Sequence, residues 1–299
     1  MANLNEIKKK IGSVKKTRQI TKAMQLVAAS KMRQFQSKAV NTRAFSWELL
    51  DMLKSNLSNP KASIYMEHRK KGKKLFVLYT SDKGLCGALN SQLMRALFSS
   101  NIWSETAESD RLLIAIGKKA TSYCKYNHIP VEHSYIGLPE DMTPFDALEF
   151  IHGILDHWKN PDIQQVIMVA PHYKNSFTFY PVVKTYLPFT EDMLKEHLGV
   201  REDVEVESLF GKTGNNFMYF EPSEDRLIAT LIEQVIQTLF LQSFYELKAS
   251  EYSSRMIAMQ NATDNADSVI KELTLNFNKA RQSAITQQLA ELAGGMAAV

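Results

Sequence analysis

Glycine and proline are spread very unevenly along this chain of 299 residues, and that distribution limits what it can fold into. All nine prolines lie between Pro60 and Pro222, and nine of the twelve glycines lie between Gly72 and Gly214. Residues 13–59 and 223–293 contain neither. Inside a helix Gly costs ~1 and Pro ~3 kcal/mol relative to Ala. Two long breaker-free arms around a breaker-rich middle therefore predict two long helices flanking a compact α/β unit.

The arms carry the periodicity such helices need. Met256, Met259, Thr263, Ala266, Ile270, Leu273, Phe277, Ala280 and Ala284 alternate spacings of three and four. A seven-residue period asks for a helical partner and a left-handed supercoil. In the N-terminal arm Leu4, Ile7, Ile11 and Val14 keep the same rhythm, and the apolar phase is then expected to shift to Ile20, Met24, Val27 and later Phe35, as at a stutter. One helix enters the middle domain and the other leaves it, so a pair made of them must be antiparallel. A continuous helix over 223–293 would be roughly 105 Å long, whereas a globule of this chain length is about 50 Å across. It must project as a shaft, with some ~80 Å of N-terminal helix lying along part of it. The competing arrangement is a set of shorter helices in a bundle.

Between the arms, strand and helix signals alternate. Residues 74–80, 111–116 and 165–170 read as buried strands, and 88–99, 118–126 and 145–158 as helices. Residues 177–187 and 216–220 are aromatic-rich and β-like. Short apolar strands separated by amphipathic helices favour a mainly parallel, Rossmann-like sheet. The expected domains are a coiled-coil helix at 1–59, an α/β domain at 72–220 and a second coiled-coil helix at 223–299.

Little in the chain points to catalysis. The turn Ser81-Asp82-Lys83-Gly84-Leu85-Cys86-Gly87 stands where a phosphate loop would stand, but it offers G-x-x-G and not G-x-G-x-x-G. Gly211-Lys212-Thr213 resembles the end of a P-loop, yet the position needing its first glycine is Val206. His128/His133 and His152/His157 are spaced by five, whereas ligation from one helix face needs i, i+4. Cys86 and Cys124 are too few for a disulfide framework. No catalytic residue, cofactor or metal is expected. No apolar run approaches the ~20 residues of a membrane-spanning helix, and the lysines near the N-terminus interrupt any secretory core. Hydrophobic residues at 44% and charged residues at 23% exclude a largely disordered chain.

Charge is lopsided. Residues 1–43 hold eleven Lys and Arg against Glu6 alone, in a chain whose net charge is +4. A basic helical arm suits nucleic acid, an anionic membrane surface or an acidic protein partner. A coiled-coil nucleic-acid binder is therefore the alternative function.

Three blocks then carry a family resemblance. Residues 20–32 (ITKAMQLVAASKM), residues 250–266 (SEYSSRMIAM through ATDNA) and residues 278–286 (NKARQSAIT) resemble, in order and at matching separations, the signatures of the γ subunits of F-type ATP synthases. The stretch 81–90 is similar to the same family. The resemblance implies an antiparallel two-helix coiled coil with a small Rossmann-like domain. It implies a non-catalytic rotor turning inside a ring of three α and three β subunits, with the ε subunit and a membrane-embedded c-subunit ring as its other partners. Chemistry would reside on β, with no nucleic acid and only indirect membrane contact. By position, Arg281, Gln282 and Thr286 match residues that hold a catch on β, with Gln288 standing where a glutamate is usual. Arg255, with Met24 beside it, matches a contact to an acidic loop of β. Phe217, Met218, Tyr219, Phe220 and Glu221 match a foot on the c ring. Without paired regulatory cysteines or a cleavable presequence, the expected location is the cytoplasmic face of a bacterial plasma membrane.

Overall fold

The computed structural model describes residues 4–56, 63–140, 142–190 and 224–296. Two helices dominate it, α1 (Leu4–Asn56) and α6 (Glu224–Met296). They run antiparallel. Arg18 Nε lies 2.5 Å from Asp267, the Thr21 and Thr263 hydroxyls are 2.8 Å apart, and Phe35 stacks on Tyr252 at 5.6 Å. At 1.5 Å per residue α6 is about 110 Å long and α1 about 80 Å. Carried to the end of α1, this pairing sets Leu4 near position 281, so α6 overhangs its partner by roughly 22 Å. The helix also runs through Gly294 and Gly295 to Met296.

On α6 the expected seam is observed. Met259, Thr263 and Ala266 are buried, Ile270, Leu273, Phe277, Ala280 and Ala284 are partly buried, and most residues between them are exposed. On α1 the expected stutter does not occur. Leu4, Ile7, Ile11 and Val14 are followed on the same spacing by Arg18, Thr21, Gln25 and Ala28, then by Met32, Phe35, Ala39, Ser46, Leu49 and Leu53. Ile20 and Val27, assigned to the seam from their apolarity, are 61% and 62% exposed. The heptad passes straight through polar layers because each finds a polar partner across the seam: Arg18 meets Asp267, Thr21 meets Thr263, and Gln25 donates to Gln260. Gly12 sits inside α1, where a single glycine is tolerable at ~1 kcal/mol.

Among the described residues the middle domain has a five-stranded sheet in the order β3-β2-β1-β4-β5, formed by β1 (Lys73–Tyr79), β2 (Arg111–Ile116), β3 (His133–Tyr135), β4 (Ile163–Asn175) and β5 (Thr178–Leu187). The first four in that order are parallel, and β5 returns antiparallel along β4. Its helices are α2 (Leu89–Phe98), α3 (Asn101–Glu105), α4 (Lys118–Tyr126) and α5 (Pro144–Trp158). β1 lies centrally, which is why Leu75 to Tyr79 form an unbroken apolar run, all fully buried. Gly117, between β2 and α4, has φ +92°, and a Cβ there would lie 2.2 Å from the Thr80 carbonyl oxygen. That close approach lets Thr80 Oγ1 donate to Ile116 O and accept from the Ala120 N–H, tying β1 to α4.

An 18-residue window of α6 reaches a mean hydropathy of 1.3, enough by length and composition to cross a bilayer. This corrects the expectation drawn from run lengths. The window is 56% buried inside the protein, and Ile228, Ile232, Ile236, Phe240 and Phe244 of α6 all belong to the core.

Candidate functional site

In open α/β sheets a ligand crevice lies outside the C-terminal strand ends, at the point where strand order reverses. Here that point falls between β1 and β4, beside the turn Ser81–Gly87. The turn is stiffened from within. Asn90 Oδ1 accepts the Ser81 N–H at 3.0 Å, its Nδ2 donates to Ser81 Oγ at 2.8 Å, and Asp82 accepts the Lys118 and Gly137 N–H groups. Leu85 and Gly87 take positive φ.

Protein fills the space in front of it. Arg255 Nη2 donates to the Gly84 carbonyl at 3.2 Å, and the Ser254 carbonyl stands against Gly87. Tyr245 OH donates to the Met142 carbonyl at 3.2 Å, Tyr252 OH donates to Glu140, and Ser253 Oγ donates to the Ser176 carbonyl. The chain segments that follow β1, β3 and β4 thus all close on one stretch of α6, Tyr245 to Arg255. The crevice is a clamp on the helix.

A deeply buried contact of this clamp is Glu246, whose side chain is 5% exposed. Pairing of β4 with β1 ends at Val169, while β4 itself continues to Asn175. The polar backbone groups beyond that point need partners from elsewhere. Glu246 Oε2 accepts the Tyr173 N–H at 3.1 Å, and Arg43 Nη2 of α1 donates to the Tyr173 carbonyl at 3.1 Å. The helices thus take the place of the missing strand. Glu246 Oε1 also accepts from Arg43 Nη2 at 2.6 Å and Gln242 at 2.9 Å, and His172 Nδ1 donates to Oε2 at 3.0 Å. Burial by itself would raise the Glu246 pKa. The His172 hydrogen bond, the charges of Arg43 and His172 and the Gln242 bond outweigh it and hold the carboxyl at about 2. A cavity of about 370 Å³ opens beside the group, with Trp47, Val182 and Leu239 in its walls.

A looser contact sits nearer the shaft's far end. Glu140 is 3.8 Å from Lys31 of α1 and 3.9 Å from Lys83 of the turn. Its pKa is lowered, chiefly by the Tyr252 hydroxyl, while burial and then the Glu140 bond raise that of Tyr252.

The residues expected from sequence fall in two places. Arg255 is 7% exposed, ion-paired to Glu251 at 2.7 Å and stacked over the Tyr252 ring. It therefore binds within the chain, at the clamp. Met24 is partly buried, and the Thr21–Thr263 pairing sets it opposite residues 260–261, about 9 Å along the axis from Arg255. The two are not side by side. Arg281, Gln282, Thr286 and Gln288 are all exposed on the distal part of α6, with the Thr286 hydroxyl donating back to the Gln282 carbonyl. Phe217–Glu221 lies outside the described residues. Cys86 and Cys124 are buried in the core, and burial raises the Cys124 thiol to about 11. Sequence reasoning missed Glu246, Arg43 and His172. The available signal was an acidic residue flanked by Phe244, Tyr245 and Leu247 in a strongly apolar stretch.

Two helices longer than the domain they carry, with that domain's ligand crevice closed upon one of them, define a shaft with a clamped collar. The profile of the family described as ATP synthase matches residues 3–299. The chain is 32% identical to the ATP synthase gamma chain of Glaesserella parasuis and 35% identical to that of Polynucleobacter asymbioticus, in each case over 100% of both chains. Among solved structures, it resembles a chain of the Euglena gracilis mitochondrial ATP synthase rotor (TM-score 0.61, 21% identity, 94% of this chain and 98% of that one). It also resembles a chain of the Tetrahymena thermophila central stalk and c ring (TM-score 0.59, 24% identity, 81% and 99%). The chain belongs to the ATP synthase gamma chain family.

Proposed function

We propose that this chain is the central shaft of an ATP synthase, turning inside a ring of three α and three β subunits. Ion flow through a c-subunit ring would turn it, and its asymmetry would drive the β sites in sequence through binding, synthesis and release. Run backwards, ATP hydrolysis would pump ions. The catalytic chemistry belongs to β. The structural relatives, chains of a mitochondrial ATP synthase rotor and of a central stalk with its c ring, support this reading. The observation that carries it is the unbroken α6, which overhangs α1 at one end and is clamped by the sheet further down.

In this reading the exposed Arg281, Gln282, Thr286 and Gln288 form the catch on the stator, and Met24 makes a second contact lower on the shaft. Arg255 contributes from inside the clamp, by holding the Gly84 turn. Phe217, Met218, Tyr219, Phe220 and Glu221 would rest on the c ring beside the ε subunit. The bacterial origin of several full-length relatives supports a place on the cytoplasmic face of a plasma membrane.

The test is reconstitution of α and β with and without this chain, with a bead fixed at Tyr126→Cys, since Tyr126 is 84% exposed. MgATP hydrolysis that depends on the chain, with rotation of the bead, is expected. Unchanged hydrolysis and a stationary bead would refute the proposal. Salt-sensitive binding of DNA by the free chain would favour the nucleic-acid alternative instead.

A further inference from the structure

The geometry points to Glu246 and Arg43 as the joint through which torque crosses between the α/β domain and both shaft helices, an assignment that rests on the rotor reading above. The other contacts of the clamp are weaker by construction. Arg255, Tyr245 and Ser253 each give one hydrogen bond to a loop carbonyl, and Tyr252 gives one to the Glu140 carboxylate. The Glu140 pairs are 3.8 and 3.9 Å long with the carboxylate 40% exposed, and such solvated pairs contribute little.

Glu246 differs in the number of its bonds and in their target. It is nearly sealed from water and takes four donors on its two oxygens. Charge-assisted bonds of this kind are roughly twice as strong as neutral ones. With Arg43 it also holds both the N–H and the carbonyl of Tyr173, so the helices grip the main chain of a strand. That strand is in turn held by its neighbour β5 across the Tyr173–Phe179 pair. Any twist of the helices against the sheet has to break this knot. Glu246 and Arg43 are positioning residues: they touch no substrate and act on the β sites only through the shaft.

The substitution Glu246→Gln isolates the joint. It replaces one acceptor oxygen by an NH₂ donor. Arg43 and Gln242 donate on one side, His172 and Tyr173 on the other, so either orientation of the amide sets donor against donor. The assay uses the whole ATP synthase in sealed vesicles and reads ions transported per ATP hydrolysed, a ratio from which the amount of assembled enzyme divides out.

Glu246→Gln is expected to lower this ratio by about threefold or more, because the amide cannot accept from the donors on both sides. Arg43→Lys, which keeps a cation with several donors, is expected to retain at least about half of it. If Glu246→Gln does not assemble, His172→Phe removes one donor, leaves the ion pair and is read in the same way, with a reduced ratio expected. A wild-type ratio in Glu246→Gln, or in His172→Phe where that variant decides, overturns the inference. Pumping and hydrolysis that persist when the whole chain is omitted would instead overturn the rotor reading.

Discussion

Acid should weaken the fold through the clamp, and the size of the effect follows from Glu246. Its carboxyl titrates at about 2 in the folded protein against an ordinary value of 4.5. A gap of about 2.5 units corresponds to ~3 kcal/mol at 1.36 kcal/mol per unit. The folded pKa is depressed, so this stability is complete above pH 4.5 and is lost as pH falls through the window from 4.5 to about 2. At pH 3 about half should remain. The measurement is urea unfolding followed by tryptophan fluorescence, for the parent chain and Glu246→Gln, at several pH values from 7 to 3. Asp146 and Asp156, whose pKa values are also lowered by local hydrogen bonds, lie away from the joint and cancel in the comparison. The stability gap between the two proteins should shrink by about 2 kcal/mol over that range. A gap that stays constant with pH would mean that the charge on Glu246 is not what the clamp uses.

Two further substitutions test the shaft. Gly12→Ala should stabilise α1 by about 0.5–1 kcal/mol in thermal or urea unfolding, because Gly12 is in a helix interior and a Cβ there meets nothing within 4 Å. Ile20→Gln should change stability by less than about 0.5 kcal/mol, whereas Ala28→Gln, at a position 1% exposed, should cost about 2 kcal/mol or more. Equal effects at these two sites would return Ile20 to the seam and restore the stutter.

Much of the architecture was legible because its cause is local. Strands β1 and β2 and helices α2, α4 and α5 fell within a residue or two of their expected limits, since turn residues punctuate that region and buried strands read as apolar runs. β3 was missed: it has three residues, none of them fully buried, and pairs only at a sheet edge. β4 was expected at 165–170 and runs from 163 to 175, because its far half is held by β5 and the helices and not by its own apolarity. The exposed residues at the tip of α6 could be proposed from motif alone. Arg255 could not be placed that way, since its partners Gly84 and Glu251 belong to contacts that only folding creates.

What the amino-acid order determined unaided is the pair of long helices and the heptad on α6. Helix propensity and side-chain period act within a few residues, and the absence of Gly and Pro can be counted along the chain. What tertiary structure alone decided is the phase of α1 and the identity of the clamp. A polar residue in a buried seam reads as surface until its partner is known, and Arg18, Thr21 and Gln25 find theirs some 235 to 249 positions away in sequence. Glu246 is the same case in sharper form. An isolated carboxylate in an apolar helix looks like a mistake, and becomes a joint only when Arg43, His172 and the Tyr173 peptide converge upon it from two other elements.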